Sequence, residues 1–132
     1  MVTAAPAEGD EGEGEEKPTG AVYALARTTL LEWDAESDGF HVHVDGFCRL
    51  PPNTRVVDLL THVSGVTERD LAAAKYDSAA AVLAAVRAVL QPHDVIVGHS
   101  VYNDMQALGL RHDAVVDTSF LVGVRGAPKF TL

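Results

Sequence analysis

Val95-Ile96-Val97-Gly98-His99-Ser100-Val101-Tyr102-Asn103-Asp104-Met105-Gln106-Ala107-Leu108-Gly109-Leu110-Arg111-His112-Asp113-Ala114-Val115-Val116-Asp117-Thr118 is the stretch that decides the fold class. It reads as strand, tight turn, helix, strand. Val95, Ile96 and Val97 form the short β-branched run that a buried strand favours. Gly98 lets the backbone turn at the strand end. Ser100 is placed to cap a helix whose apolar side carries Val101, Met105 and Leu108, and Gly109 is its stop. Val115 and Val116 begin a second strand that ends at Asp117-Thr118. In α/β units of this kind ligands gather at the carboxyl ends of the strands. Asp104 lies in the first turn of the helix leaving such an end, where the helix dipole favours a carboxylate.

At 132 residues, with 47% hydrophobic residues, the chain is one domain at most and has ample material for a core. The net charge of −9 is uneven, since residues 1–20 hold six acids against one base. The acidic body lacks the basic stripe that nucleic-acid binding usually leaves. Metal ions can nevertheless invert a local field. The single cysteine, Cys48, excludes an internal disulfide. No apolar run approaches a membrane span, and the acidic start is unlike a signal peptide, so no membrane partner is expected.

Residues 1–20 are rich in Ala, Glu, Gly and Pro, which predicts a disordered acidic tail, with an acidic interaction tail as the functional alternative. Residues 21–132 form the folded part. A strand from Ala21 to Trp33, with both faces fairly apolar, turns at Asp34–Gly39 into a returning strand from Phe40 to Leu50, giving a hairpin. On the returning strand Phe40, Val42, Val44 and Gly46 share one face, and His41, His43 and Asp45 the other. No Cys or further His stands at a useful spacing, so the two histidines read as a solvated polar face rather than a metal site. Pro51-Pro52-Asn53 breaks the strand. Val56–Val63 fits a short helical turn, and Thr67-Glu68-Arg69-Asp70 approximates a capping box. The longest helix starts at Asp77 or Ser78, carries Val82, Leu83, Val86, Val89 and Leu90 as one stripe, and stops at Pro92. The hairpin, Val95–Val97 and Ala114–Val116 are expected in one sheet covered by that helix.

Three stretches carry a family resemblance. Val57-Asp58-Leu59-Leu60-Thr61 with Ser64-Gly65-Val66-Thr67 resembles the "VDYLTxxSGIT" segment of eukaryotic RNA exonucleases, which are DEDDh, ribonuclease T-like 3′→5′ exonucleases. Val97-Gly98-His99-Ser100-Val101-Tyr102-Asn103-Asp104 with Ala107-Leu108 resembles their second motif, "VGHxxxxDxxAL". Val115-Val116-Asp117-Thr118-Ser119 resembles the "VxDTS" that follows. The resemblance covers residues 22–132 in collinear order. It implies an RNase H-like fold, a mixed sheet flanked by helices. It also implies two-metal hydrolysis of an RNA phosphodiester from a single-stranded 3′ end, with Mg²⁺ or Mn²⁺ held by four carboxylates and a His as general base. Asp104 corresponds to the second-motif carboxylate, a metal ligand and catalytic residue. His99 and Arg27 are candidates for contact with the nucleic acid. The implied compartment is nucleus or cytosol.

The departures are equally specific. The first motif, an Asp and a Glu one residue apart on an apolar strand, belongs just before Val22. There the chain has Glu11-Gly12-Glu13-Gly14-Glu15-Glu16-Lys17-Pro18-Thr19-Gly20, whose Gly and Pro oppose a strand. The third motif, with the His five residues before its Asp, has no counterpart up to Leu132. One carboxylate cannot hold two hard cations. The expectation is therefore an incomplete RNase H-like domain without first strand, C-terminal part or general base, binding metal weakly or not at all. The expected cause is misplaced gene boundaries. The alternatives are a non-catalytic module that binds RNA or a protein partner, the latter through the acidic tail, and a small α/β interaction module unrelated to nucleases.

Overall fold

A computed structural model describes residues 2–6 and 22–121. In chain order the elements are strands β1 (Val2–Pro6), β2 (Val22–Ala24), β3 (Arg27–Asp34), β4 (Gly39–Phe47) and β5 (Thr54–Asp58), then helices α1 (Thr61–Ser64), α2 (Glu68–Ala72) and α3 (Ala79–Val89). Strand β6 (Ile96–Gly98), helix α4 (Val101–Leu108) and strand β7 (Val115–Asp117) complete it. The class is mixed α/β, with small sheets and helices, as the periodicity predicts.

The sheet differs from expectation. Instead of one sheet the described residues form three: β2-β1-β5 antiparallel, the β3–β4 hairpin, and the parallel pair β6–β7. Among the described residues no strand lies between the hairpin and the parallel pair, so β3 pairs only with β4 and β6 only with β7. The first sheet corrects two readings. Val2–Pro6, assigned by composition to a disordered tail, is a strand hydrogen-bonded on both sides, because Val2 and Ala4 give it an apolar face that is fully buried. Residues 7–20, the rest of that predicted tail, lie outside the described residues. Thr54–Asp58, partly assigned to a helical turn, is the strand that pairs with β1. Thr54, Val56 and Val57 suit a strand, and only the four residues from Thr61 are helical.

The Ala21–Trp33 strand is broken at Leu25-Ala26, which leave the ladder and are buried. The hairpin forms as predicted, but its faces do not. Leu30 pairs with Val44 and Leu31 with Val42, so His43 is an extra residue on β4, a bulge. The bulge reverses the alternation. Thr29 and Asp45, Leu31 and Val42, and Trp33 and Phe40 are cross-strand pairs of one face, whereas Val44 belongs with Leu30 on the other.

The start signals of α2 and α3 hold. Thr67 and Asp70 form a full capping box, the Thr67 hydroxyl accepting the Asp70 N–H at 3.3 Å and the Asp70 carboxylate accepting the Thr67 N–H at 2.9 Å. Ser78 caps α3 by accepting the Ala81 N–H at 3.2 Å. The stripe of α3 then buries Val82 and Val86 against Leu25, Val44 and Cys48, with Leu90 and Leu108 at the margin. A second cluster joins Val2, Ala26 and Val66 under β1. Val82→Ala removes fully buried methyl groups at the centre of the first cluster. Urea titration is expected to show a stability loss of about 2 kcal/mol, and a loss below the error of the fit would show that α3 is not held by this stripe.

Candidate functional site

The carboxyl ends of β6 and β7 are tied together by short polar contacts. The Thr118 N–H donates to the Gly98 carbonyl at 2.7 Å, and the Thr118 hydroxyl to the same oxygen at 3.1 Å. The Asp117 carboxylate is buried. It accepts the Ser100 N–H at 2.8 Å, the Ser119 N–H at 2.9 Å and the Ser119 hydroxyl at 2.7 Å. These donors, the Ser119 hydroxyl foremost, hold the Asp117 carboxyl below the usual carboxylate range. Ser100 itself caps nothing with its hydroxyl, contrary to the sequence reading. It sits at φ 54°, and the reach across from Asp117 fixes that left-handed residue at the start of α4. Asp117, at the strand end, therefore caps the turn that follows and anchors α4 as well. Gly98 has a different duty from the one expected. A Cβ there would stand 2.8 Å from the Cβ and a methyl of Val101, so the absent side chain lets α4 close onto β6. Gly109, at φ 69°, ends the helix as predicted.

Asp104 is exposed in the first turn of α4 and makes no hydrogen bond or ion pair among the described residues. It lines a cleft of about 200 Å³ between the hairpin and the parallel pair. Leu25, Leu30, Val86, Leu90, Met105 and Leu108 make that cleft apolar, and Arg27 lines it too. Thr28, also in the lining, has a buried hydroxyl without a hydrogen-bond partner among the described residues. The structure thus brings two of the predicted residues, Asp104 and Arg27, to one cleft. His99 is outside this lining, with its Nδ1 3.2 Å from the Thr118 hydroxyl.

Arg27 is engaged rather than free. Its Nε and Nη2 donate to Asp45 Oδ1 at 3.2 and 3.0 Å, the Thr29 hydroxyl donates to the same oxygen at 3.0 Å, and the guanidinium lies 5.2 Å from the centre of the Phe47 ring. These contacts, the Arg27 hydrogen bond first, lower the Asp45 pKa. Sequence reasoning missed this group. Its only signal is the cross-strand placement of Thr29 and Asp45, which the bulge conceals. Among the described residues no three His, Cys, Asp or Glu side chains converge to hold an ion. Asp117, the acid at the end of β7, has Oδ1 committed to three donors. Among the described residues the donor set around Asp104 does not fit a two-metal centre. No described helix is long and apolar enough to cross a membrane.

A strand–turn–helix–strand unit with one acid in the first helical turn defines an α/β unit and no chemistry by itself. The chain is 37% identical over 106 residues to "Small RNA degrading nuclease 3" of Arabidopsis thaliana, covering 80% of this chain and 12% of that protein. It is 37% identical over 97 residues to "RNA exonuclease 4" of Neurospora crassa, covering 72% and 21% respectively. It is 38% identical over 101 residues to "RNA exonuclease 1 homolog" of Homo sapiens, covering 74% and 7%. The matched stretch is therefore homologous to eukaryotic RNA exonucleases, and it spans only 7% to 21% of the length of these three relatives. No family model matches the chain. No solved structure matches it.

The Asp117 contacts give a pH test. Its folded pKa is lowered, so the stability it contributes is fully present above the unfolded value of about 3.9 and is lost as pH falls through the folded value. In thermal melts Asp117→Asn is expected to lower Tm at neutral pH, with the gap to the parent chain closing below about pH 4. A gap of constant size across that range would show that the carboxylate charge is not what holds the turn.

Proposed function

We propose that this chain carries part of a 3′→5′ RNA exonuclease domain, residues 21–132, and that by itself it does not hydrolyse RNA. The observation that carries the first half is the homology over 106 residues to proteins named as RNA-degrading nucleases. The second half rests on chemistry. Two-metal phosphodiester hydrolysis needs several carboxylates around both ions and a general base. In this chain Asp104 is the one carboxylate that corresponds to the family's set.

The cleft supports the same reading. The resemblance puts a strand with Asp-x-Glu between the hairpin and the parallel pair. There, β3 and β6 each keep one edge without a strand partner among the described residues, and the space between them is apolar. A strand seated there would extend both sheets and bring its acids towards Asp104. In that completed site Asp104 is a metal ligand for Mg²⁺ or Mn²⁺. His99 and Arg27 then contact the RNA, Arg27 once its bond to Asp45 has been exchanged for phosphate. The partner is the 3′ end of single-stranded RNA, and the setting is nuclear or cytosolic. Binding of a protein partner through the acidic segment before Val22 is compatible with this reading and independent of it.

Two experiments test it. The purified chain is expected to leave 5′-labelled single-stranded RNA intact with Mg²⁺ or Mn²⁺. Trimming that vanishes in Asp104→Ala would overturn the proposed inactivity. A chimera gives the positive arm. The first strand and the C-terminal part of the Arabidopsis relative's nuclease region are joined around residues 21–121. The chimera is expected to trim RNA from its 3′ end, and Asp104→Ala to reduce that rate on the order of 10³-fold. A folded chimera whose trimming ignores Asp104 would remove this residue from the site.

A further inference from the structure

We infer that the outward face of the β3–β4 hairpin is a docking surface for a cationic, amphipathic segment of another protein. The inference is independent of whether the chain cleaves RNA. The bulge at His43 creates the surface. It places Leu31 beside Val42 and Trp33 beside Phe40 on the face opposite Leu30 and Val44, and Val44 is buried in the core that α3 covers. The outer pairs are left in solvent: Leu31 is 46% exposed, Val42 55%, Trp33 52% and Phe40 67%. The Trp33 and Phe40 rings meet edge to face with centroids 5.0 Å apart, so they form one preorganised block rather than two loose side chains. A contiguous patch of this kind is characteristic of interaction sites, and paired aromatic anchors are what interfaces use as hot spots.

Charge decides the occupant. From Thr28 to Val44 the hairpin carries Glu32, Asp34, Glu36 and Asp38 and no Lys or Arg. Asp34 is fixed as a carboxylate acceptor at the tip, taking the Glu36 N–H at 3.0 Å and the Ser37 hydroxyl at 2.6 Å. Exposed aromatic rings can stack bases, but a phosphate backbone brought to this tip meets Asp34, Glu36 and Asp38 with no Lys or Arg among them, while His43 is already paired with Glu32 at 2.6 Å. An anionic membrane surface is repelled in the same way. A second copy docking through the same patch would oppose identical sets of carboxylates. The remaining fit is a polypeptide with apolar side chains on one face and Lys or Arg on the other. Its apolar face covers Leu31, Trp33, Phe40 and Val42, and its ammonium or guanidinium groups reach Asp34, Glu36 and Asp38.

Trp33 is the chain's single tryptophan and reports directly on the patch. The probe is a synthetic peptide of alternating Lys and Leu, with an alternating Glu-Leu peptide and single-stranded oligouridine as comparators. The Lys-Leu peptide is expected to shift Trp33 emission to the blue saturably, and more weakly as salt rises. Phe40→Ser is expected to weaken binding about tenfold. Glu36→Gln combined with Asp38→Asn removes tip charge without touching a core contact and is expected to weaken it about fivefold. Circular dichroism confirms that each variant keeps the fold. Four results would overturn the inference. The first is no shift, or an equal shift with the Glu-Leu peptide. The second is unchanged affinity in folded Phe40→Ser. The third is tighter binding of oligouridine, which would make the face an RNA platform. The fourth is a concentration-dependent shift without peptide that Phe40→Ser abolishes, which would assign the face to a second copy.

Discussion

Burial of one side of α3 is the constraint on which the remainder of the molecule depends. The hairpin and the β6–β7 pair share no ladder, so no backbone hydrogen bond between strands fixes their relation. Val82 and Val86 press on Leu25, Val44 and Cys48, while Leu108 and Leu110, from α4 and the loop after it, join the same cluster. Apolar burial is non-directional, so it sets proximity without setting register. That is why the hairpin and the parallel pair approach each other closely enough to form a cleft and yet remain separate sheets.

The site is built with a different balance. At the end of β7 the polar contacts are short and directional. Asp117 fixes the entry to α4, and Gly98 lets the helix close on β6. These contacts fix the start of the helix that carries Asp104, while Asp104 itself makes no hydrogen bond or ion pair among the described residues. Asp117 supports the start of α4 from the neighbouring strand, whereas a two-metal centre requires several acids brought together from different strands. Among the described residues the cleft beside Asp104 is apolar, and β3 and β6 each have one edge without a strand partner.

The hairpin shows how a single inserted residue changes what a surface offers. Without the bulge at His43, the alternation of Phe40, Val42 and Val44 would put all three on the core side. With it, Val44 stays in the core while Val42 and Phe40 turn outward to join Leu31 and Trp33. The hairpin tip thus gains an apolar face beside its acidic turn, a pairing that neither nucleic acid nor a like-charged copy complements.

What the sequence determined by itself is everything held by near neighbours. The hairpin turn at Asp34–Gly39, the Thr67–Asp70 capping box, the Ser78 cap and apolar stripe of α3, the Gly109 stop and the order of strand, helix and strand around Asp104 all follow from residues within a few positions of one another. The collinear motifs also gave the family. Tertiary structure alone decided the rest. The strand identity of Val2–Pro6 and Thr54–Asp58 comes from pairing between segments some fifty residues apart. The bulge at His43 depends on the register against β3. Asp117 reaches Ser100 seventeen positions away, and Asp45 meets Arg27 eighteen positions away. Period and propensity are properties of a local window, whereas register, sheet partnership and the donors around a carboxylate are chosen by whichever distant segment burial brings alongside.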